Sequence, residues 1–94
     1  MQGQREEDEC EGRASDVTER HFAAFASALE GIIGAAALHD SEQAWIAYRA
    51  KQCDAIADFF RGSIARSARS RCFISLTRSH MRDLDELYET PLHH

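Results

Sequence analysis

Two cysteines placed symmetrically about a glycine constrain this chain more than any other feature. Cys53 and Cys72 lie at equal distances along the sequence from Gly62–Ser63, where a helical pattern is interrupted. If that dipeptide forms a tight turn between two antiparallel helices, the two cysteines face each other. A disulfide requires Cα atoms within roughly 7 Å of each other, a separation that neighbouring helices can provide. The sequence therefore predicts a Cys53–Cys72 disulfide that links two helices.

The same antiparallel register predicts two further pairs of residues. It places Trp45 opposite His80 and Arg49 almost opposite Thr77, whose hydroxyl or carbonyl could then accept from the guanidinium. Trp45, Tyr48 and Arg49 have two interpretations. They are either an aromatic core pair with an arginine that packs along its stem, or an exposed interface anchor. We favour the structural interpretation.

A capping pattern and an apolar stripe predict the first helix over residues 16–32. Asp16 followed by Glu19 is typical of a capping box, and apolar residues then recur at helical spacing. Gly31 and Gly34 each disfavour a helix interior by about 1 kcal/mol relative to alanine. We interpret them as the turn to the second helix. The alternative is one continuous helix with close-packed glycines.

The second and third helices are predicted over residues 35–60 and 64–88. The second helix has apolar residues on two sides, which is typical of a helix packed between neighbours, so we expect it at the centre of the fold. Gly62 suits its C-terminal cap, and Ser63 suits the N-cap of the third helix. Acidic residues crowd the end of the third helix, where negative charge is unfavourable, and predict fraying. The predicted fold class is all-α: a three-helix antiparallel, up-down-up bundle clamped by the disulfide.

Ninety-four residues are enough for one small domain. We assign residues 1–14 to a flexible acidic tail, 15–90 to a single helical domain and 91–94 to a second tail. A bridge worth roughly 3 kcal/mol is a large share of the stability of so short a chain. Cys10 lies in the acidic tail and has no partner in this scheme. It is predicted to be a free thiol or to pair between molecules.

Charge is unevenly distributed along a chain whose formal net charge is −5. Residues 1–30 hold eight acids and three arginines, whereas residues 61–82 hold six arginines and no acid. Nucleic-acid-binding proteins are usually basic overall, so we do not expect that function, although the arginine-rich third helix keeps it as a third hypothesis. An acidic protein is attracted to a strongly basic partner, and the acid-rich tail and first helix would face it.

The sequence contains no pattern typical of catalysis or metal binding. It lacks a Gly-x-Ser-x-Gly elbow, a phosphate loop and a His-Glu-x-x-His motif. His21, His39 and His80 fall on different predicted elements, without the ligand spacing of a structural zinc site. We therefore expect no enzyme activity, no metal and no other cofactor. No apolar stretch has the length of a membrane span.

A set of residues between Ser41 and Leu84 has a spacing that is characteristic of one protein family. The set comprises Ala44-Trp45, Tyr48-Arg49, Cys53, Gly62-Ser63-Ile64-Ala65, Cys72, Leu76-Thr77-Arg78 and Leu84. This pattern resembles the small secreted bacterial domains grouped as lysozyme inhibitor LprI, N-terminal domain. The chain departs from it at Ala50, where an acidic residue is frequent, and at His80, where a second arginine is frequent. A first-helix cysteine of the family is missing, with His21 near its place.

The resemblance implies a secreted or periplasmic domain that binds a protein, as a monomer or weak dimer. In its sharpest form it implies inhibition of lysozyme or another peptidoglycan-cleaving enzyme. The residues that it marks as family motif, with structural roles, are Trp45, Tyr48, Arg49, Gly62, Ser63, Thr77 and Arg78. The alternative is a structural or assembly module of the cell envelope without inhibitory activity, including a dimer through Cys10 or through swapped helices.

The location of the protein has two interpretations. No apolar run near Met1 could serve as an export signal. Either the chain stays in the cytoplasm, or its export signal is absent from this sequence. Disulfides persist outside the reducing cytosol, which favours the second interpretation.

Overall fold

The computed structural model describes the backbone of residues 2–92 and the side chains of residues 12–92. Within that range the chain forms three α-helices and no strand. The helices are α1 (Gln2–Ile33), α2 (Ala35–Phe60) and α3 (Ala65–Tyr88), with a 3₁₀ turn over Gly62–Ile64. The predicted all-α, three-helix architecture is confirmed. None of the described helices is long and apolar enough to cross a membrane.

Two glycines with positive φ mark the turns between the helices. Gly34 separates α1 from α2 with φ 95°, and its N–H donates to the Glu30 carbonyl oxygen at 2.8 Å. The predicted turn therefore lies at Gly34, whereas Gly31 belongs to α1. The C-cap residue of α2 is Arg61 and not Gly62, which follows it with φ 63°, so the expected cap is one residue off. Because a 3₁₀ turn precedes α3, the N-cap position of α3 is Ile64 and the expectation of Ser63 there is wrong.

The first helix begins at Gln2, so the prediction that it begins near Asp16 is wrong. No capping box forms at Asp16, which lies in the helix interior. Nearby, the Thr18 hydroxyl donates to the Ala14 carbonyl oxygen at 2.8 Å, a bond within the helix. The first residues lack an apolar stripe but are rich in Glu, Gln and Arg, which favour helices. The division into tails 1–14 and 91–94 around one domain stays a prediction.

The third helix, not the second, lies at the centre of the bundle. α3 packs against both α1 and α2 along its length, whereas the backbones of α1 and α2 approach each other at few positions. The apolar residues on two sides of α2 led to the wrong expectation. Both sides keep exposed apolar residues, Tyr48 and Phe59 on one and Phe60 on the other.

The apolar core lies towards the end of the bundle that carries the α1–α2 turn. Its buried members are Phe22, Phe25, Leu29, Leu38, Met81 and Leu84. Nearer the other end, the predicted disulfide joins Cys53 of α2 to Cys72 of α3, with Cα atoms 5.5 Å apart. The disulfide is therefore confirmed as the link between these two helices.

The C-terminal end of α3 is held by a local hydrogen-bond arrangement. The buried Asp85 carboxylate accepts from the Thr90 hydroxyl at 2.6 Å and from the Leu92 backbone N–H at 3.2 Å. Leu92 in turn packs against the core. The helix continues to Tyr88 in place of the expected fraying, because these bonds hold the segment that follows it.

Candidate functional site

The guanidinium of Arg49 lies at the junction of the three helices. Arg49 is 6% exposed, and its Nη1 donates to Thr77 Oγ1 of α3 at 3.0 Å and to Glu19 Oε2 of α1 at 3.1 Å. The Thr77 hydroxyl donates to the Phe73 carbonyl oxygen at 2.7 Å. One α2 side chain thus bonds to both neighbouring helices, and loss of either partner would leave the buried charge less well paired.

Aromatic rings surround the same guanidinium. Its Cζ lies 4.1 Å from the ring centroid of Phe73, 4.8 Å from that of Trp45 and 5.7 Å from that of Phe22. A cation within about 6 Å of an aromatic face is attracted by the ring quadrupole. These contacts, together with its two hydrogen-bond partners, give Arg49 a structural part in the bundle.

Trp45 of α2, one turn before Arg49, forms a stacked pair with His80 of α3. Their ring centroids are 3.9 Å apart with an interplanar angle of 6°. His80 Nε2 lies 2.9 and 3.0 Å from the two carboxylate oxygens of Glu42. The indole covers one face of the imidazole and the Glu42 carboxylate occupies Nε2, so neither that face nor Nε2 is open to a ligand. The described side chains include no group of three or more His, Cys, Asp or Glu placed to hold a metal.

Tyr48 differs from its motif neighbours because it is 51% exposed. It lies in a shallow groove of about 660 Å³ between α2 and α3. The described residues that line the groove are Tyr48, Gln52, Ile56 and Phe60 from α2, and Ile64, Ala68, Arg71, Cys72, Ser75 and Leu76 from the turn and α3. Most of them recur at four-residue spacing, which places each row on one helix face. No residue of α1 is among them.

The α2–α3 turn exposes large apolar side chains at one end of this groove. Phe59 is 78% exposed and Phe60 46% exposed, with their rings in an edge-to-face arrangement 5.1 Å apart. Ile64 is also exposed. We call the segment Phe59–Ile64 the hairpin tip. Apolar side chains that a small domain leaves clustered at its surface are typical of a contact site.

Arg61, in the hairpin tip, has an unusual backbone conformation. Its φ is 52° and its ψ is 171°, close to a region that essentially only glycine populates and that costs other residues about 1–3 kcal/mol. Its N–H donates to the Ala57 carbonyl oxygen at 3.0 Å, and its Nε donates to the Asp58 carbonyl oxygen at 3.3 Å. Strained residues of this kind cluster at functional sites.

The structure brings some of the motif residues together and separates others. Trp45, Arg49 and Thr77 meet in the interior. Tyr48 faces the groove, and Arg78 is exposed on α3. Gly62 and Ser63 belong to the hairpin tip. The thiol of Cys10 lies outside the described side chains.

Two partly buried interactions were not predicted from the sequence. Glu19 and Arg49 lie at equal distances along the chain from Gly34, so an antiparallel register about that glycine would have paired them. The contact between Glu42 and His80 had no comparable signal. It is displaced from the register that pairs Cys53 with Cys72, and only the packing of α2 on α3 reveals it.

Comparison with known proteins identifies one family. The family model described as "Lysozyme inhibitor LprI" matches residues 1–84 of the chain. No curated protein and no solved structure matches it significantly. The match covers all of α1 and α2, the hairpin tip and most of α3.

Proposed function

The chain belongs to the lysozyme inhibitor LprI family, and from this membership we propose that it is an exported protein that binds and inhibits a peptidoglycan-cleaving enzyme of the lysozyme class. The observation that carries the proposal is the family match over residues 1–84, which covers most of the chain. The family is one of inhibitors, so activity here means occupation of a partner's surface. No chemical step is assigned to this chain.

The charge of the chain supports a basic partner. With a formal net charge of −5, the protein attracts a strongly basic enzyme, which raises the association rate more than the affinity. Five of the acids lie within residues 6–11, in the first turns of α1. Because α1 runs parallel to α3, with Gly12 near Ser70, these turns begin at the end of the bundle that carries the hairpin tip.

The disulfide supports an exported location. Bridges form and persist in the periplasm and outside the cell, and they are rare in the reducing cytosol. The Cys53–Cys72 bridge also ties α2 to α3 close to the hairpin tip, which limits the movement of the exposed face. A rigid surface loses less conformational entropy when it binds a partner.

A turbidity assay tests the proposal. Purified protein is added to lysozyme and a suspension of bacterial cell walls, and the fall in turbidity is followed at low and at moderate salt. We expect a dose-dependent loss of lysis that sets in faster at low salt, because salt screens the attraction between the two charged proteins. An amidase that also clears the suspension, without cleaving glycosidic bonds, is the control and should stay active. Undiminished lysis at large molar excess of the protein would contradict the proposal.

A further inference from the structure

We propose that the hairpin tip is the inhibitory element, and that it enters the carboxylate-lined cleft of the enzyme with Arg61 between the phenyl rings of Phe59 and Phe60 and the side chain of Ile64. This inference rests on the proposed function and assigns the surface that performs it. Three features support it: the apolar exposure of the tip, the backbone of Arg61 and the chemistry of the partner.

The apolar side chains of the tip are not needed for the core. The buried cluster lies towards the opposite end of the bundle, around Leu29, Leu38 and Met81. Phe59 and Phe60 project at the end of a disulfide-tied hairpin instead. Aromatic side chains supply a large contact area for few rotatable bonds and are enriched among the residues that dominate binding. Their placement favours contact with another protein.

The backbone conformation of Arg61 indicates that an arginine at this position does not favour folding. Glycine would adopt φ 52° and ψ 171° without strain, and the neighbouring residue, Gly62, is a glycine at φ 63°. An arginine at this position destabilises the fold and contributes no core packing, since it is exposed. Among the described residues, only its Nε is hydrogen-bonded through the side chain, to the Asp58 carbonyl oxygen. Its two terminal amino groups have no hydrogen-bond partner among the described side chains.

The chemistry of a glycan-cleaving enzyme matches this tip. Such enzymes place a pair of carboxyl groups at the scissile bond, one on each side of it. Active sites are also concave. The planar guanidinium of arginine binds a carboxylate through two parallel hydrogen bonds. A convex tip with one arginine flanked by apolar rings therefore fits a cleft with acidic residues at its floor. The acid-rich residues 6–11 belong to the turns of α1 that begin at the same end of the bundle, which favours a basic partner there.

Kinetics with tip variants and matched controls test the inference. The tip variants are Phe59→Ala and Arg61→Gly. Their controls are Leu87→Ala and Arg82→Ala, which change an exposed apolar residue and an exposed arginine on the far half of α3. The inhibition constant is measured with lysozyme and a soluble chitooligosaccharide substrate, and thermal unfolding is followed in parallel. We expect competitive inhibition, a rise of about tenfold or more in the inhibition constant of each tip variant, and less than about twofold in the controls. Arg61→Gly should at the same time raise the unfolding temperature, because glycine relieves the backbone strain.

The outcomes distinguish this inference from the proposed function. If the wild-type protein inhibits and both tip variants inhibit equally well, the inference is wrong and the proposed function stands. Non-competitive inhibition, or an equal loss in the control variants, also overturns it. Tyr48→Ala is measured alongside these variants, and a loss of inhibition confined to it would overturn the inference and assign binding to the groove between α2 and α3. If the wild-type protein does not inhibit, the proposed function fails and the inference fails with it.

Discussion

At the scale of single residues, Thr77 and Arg49 illustrate how this small bundle fixes the positions of its helices. Thr77 is fully buried, and its hydroxyl both accepts from Arg49 and donates to the Phe73 carbonyl oxygen. Arg49 also reaches Glu19 of α1. A buried charge that loses a partner retains its desolvation penalty, so each bond in this set matters more than an exposed one.

Thr77→Val removes the hydroxyl while it keeps the shape of the side chain. We expect the free energy of unfolding to fall by about 1.5–3 kcal/mol, because the lost bond is to a charged group. Thr18→Val is the matched control. Thr18 is also buried, and its hydroxyl donates to a backbone carbonyl one turn earlier, with no charged group among its described partners. Chemical denaturation measures both variants, and equal losses would contradict the account of Thr77.

At this scale, the sequence predicted the residue pairs whose positions follow from the antiparallel register of the α2–α3 hairpin. Once Gly62 sets the turn, the positions of Cys53, Cys72 and the Arg49–Thr77 pair follow from counting residues along two straight helices. The exposure of Tyr48 could not be predicted in the same way. It depends on which side of the α2–α3 pair α1 covers, and the spacing of apolar residues in α2 is compatible with either side.

At the scale of the elements, the disulfide holds α2 and α3 together where the apolar core is thin. The Cys53–Cys72 link closes a segment with a sequence separation of 19. Beyond it towards the hairpin tip, Phe59, Phe60 and Ile64 are exposed and contribute little to burial. The cross-link therefore replaces packing near the proposed contact surface.

Reduction of the bridge should lower the free energy of unfolding by about 3 kcal/mol, because the unfolded chain regains the entropy of an open loop. The measurement is urea unfolding of the wild-type protein with and without reductant. The double variant Cys53→Ala/Cys72→Ala is the control. It should unfold at the midpoint of the reduced protein or below and show no response to reductant. A wild-type midpoint that reductant leaves unchanged would contradict a stabilising bridge.

The end of α3 supplies a second prediction at this scale. Asp85→Ala removes the acceptor of the Thr90 and Leu92 hydrogen bonds and should lower the free energy of unfolding by about 1–3 kcal/mol. Asp83→Ala changes an exposed acid in the same turn. It should leave stability unchanged or raise it by a few tenths of a kcal/mol, since it removes negative charge near a helix C-terminus. Thermal unfolding compares the two, and the account fails if Asp83→Ala is the more damaging.

The boundaries of the elements were predictable where glycine or proline marks them and not elsewhere. Gly34 and Gly62 bracket α2, and its predicted range of 35–60 matches the structure. The start of α1 has no such mark. Residues 2–15 are helical and mostly of polar, helix-favouring types, without an apolar stripe, so the apolar pattern predicts a helix only from about Asp16.

At the scale of the whole molecule, the two ends of the bundle differ in character. One end carries the α1–α2 turn and the apolar core, and the other carries the hairpin tip, with exposed aromatic rings and a strained arginine. The sequence predicted three helices and their up-down-up order. It did not predict that α3 is central, because that depends on how α1 packs across the hairpin and not on any one helix. The same packing leaves one face of the α2–α3 hairpin uncovered, and this face carries the groove that contains Tyr48.

The most direct test of the central claim, that the hairpin tip contacts the enzyme, is photocrosslinking from two equally exposed positions. Phe59 and Leu87 are each 78% exposed and lie at opposite ends of the bundle. Each is replaced in turn by p-benzoylphenylalanine, and each variant is irradiated with lysozyme and resolved by mass spectrometry. The account predicts a covalent complex from position 59, with the cross-link in the active-site cleft, and none from position 87. Cross-linking from position 87 alone, or equal yields from both positions, would contradict it.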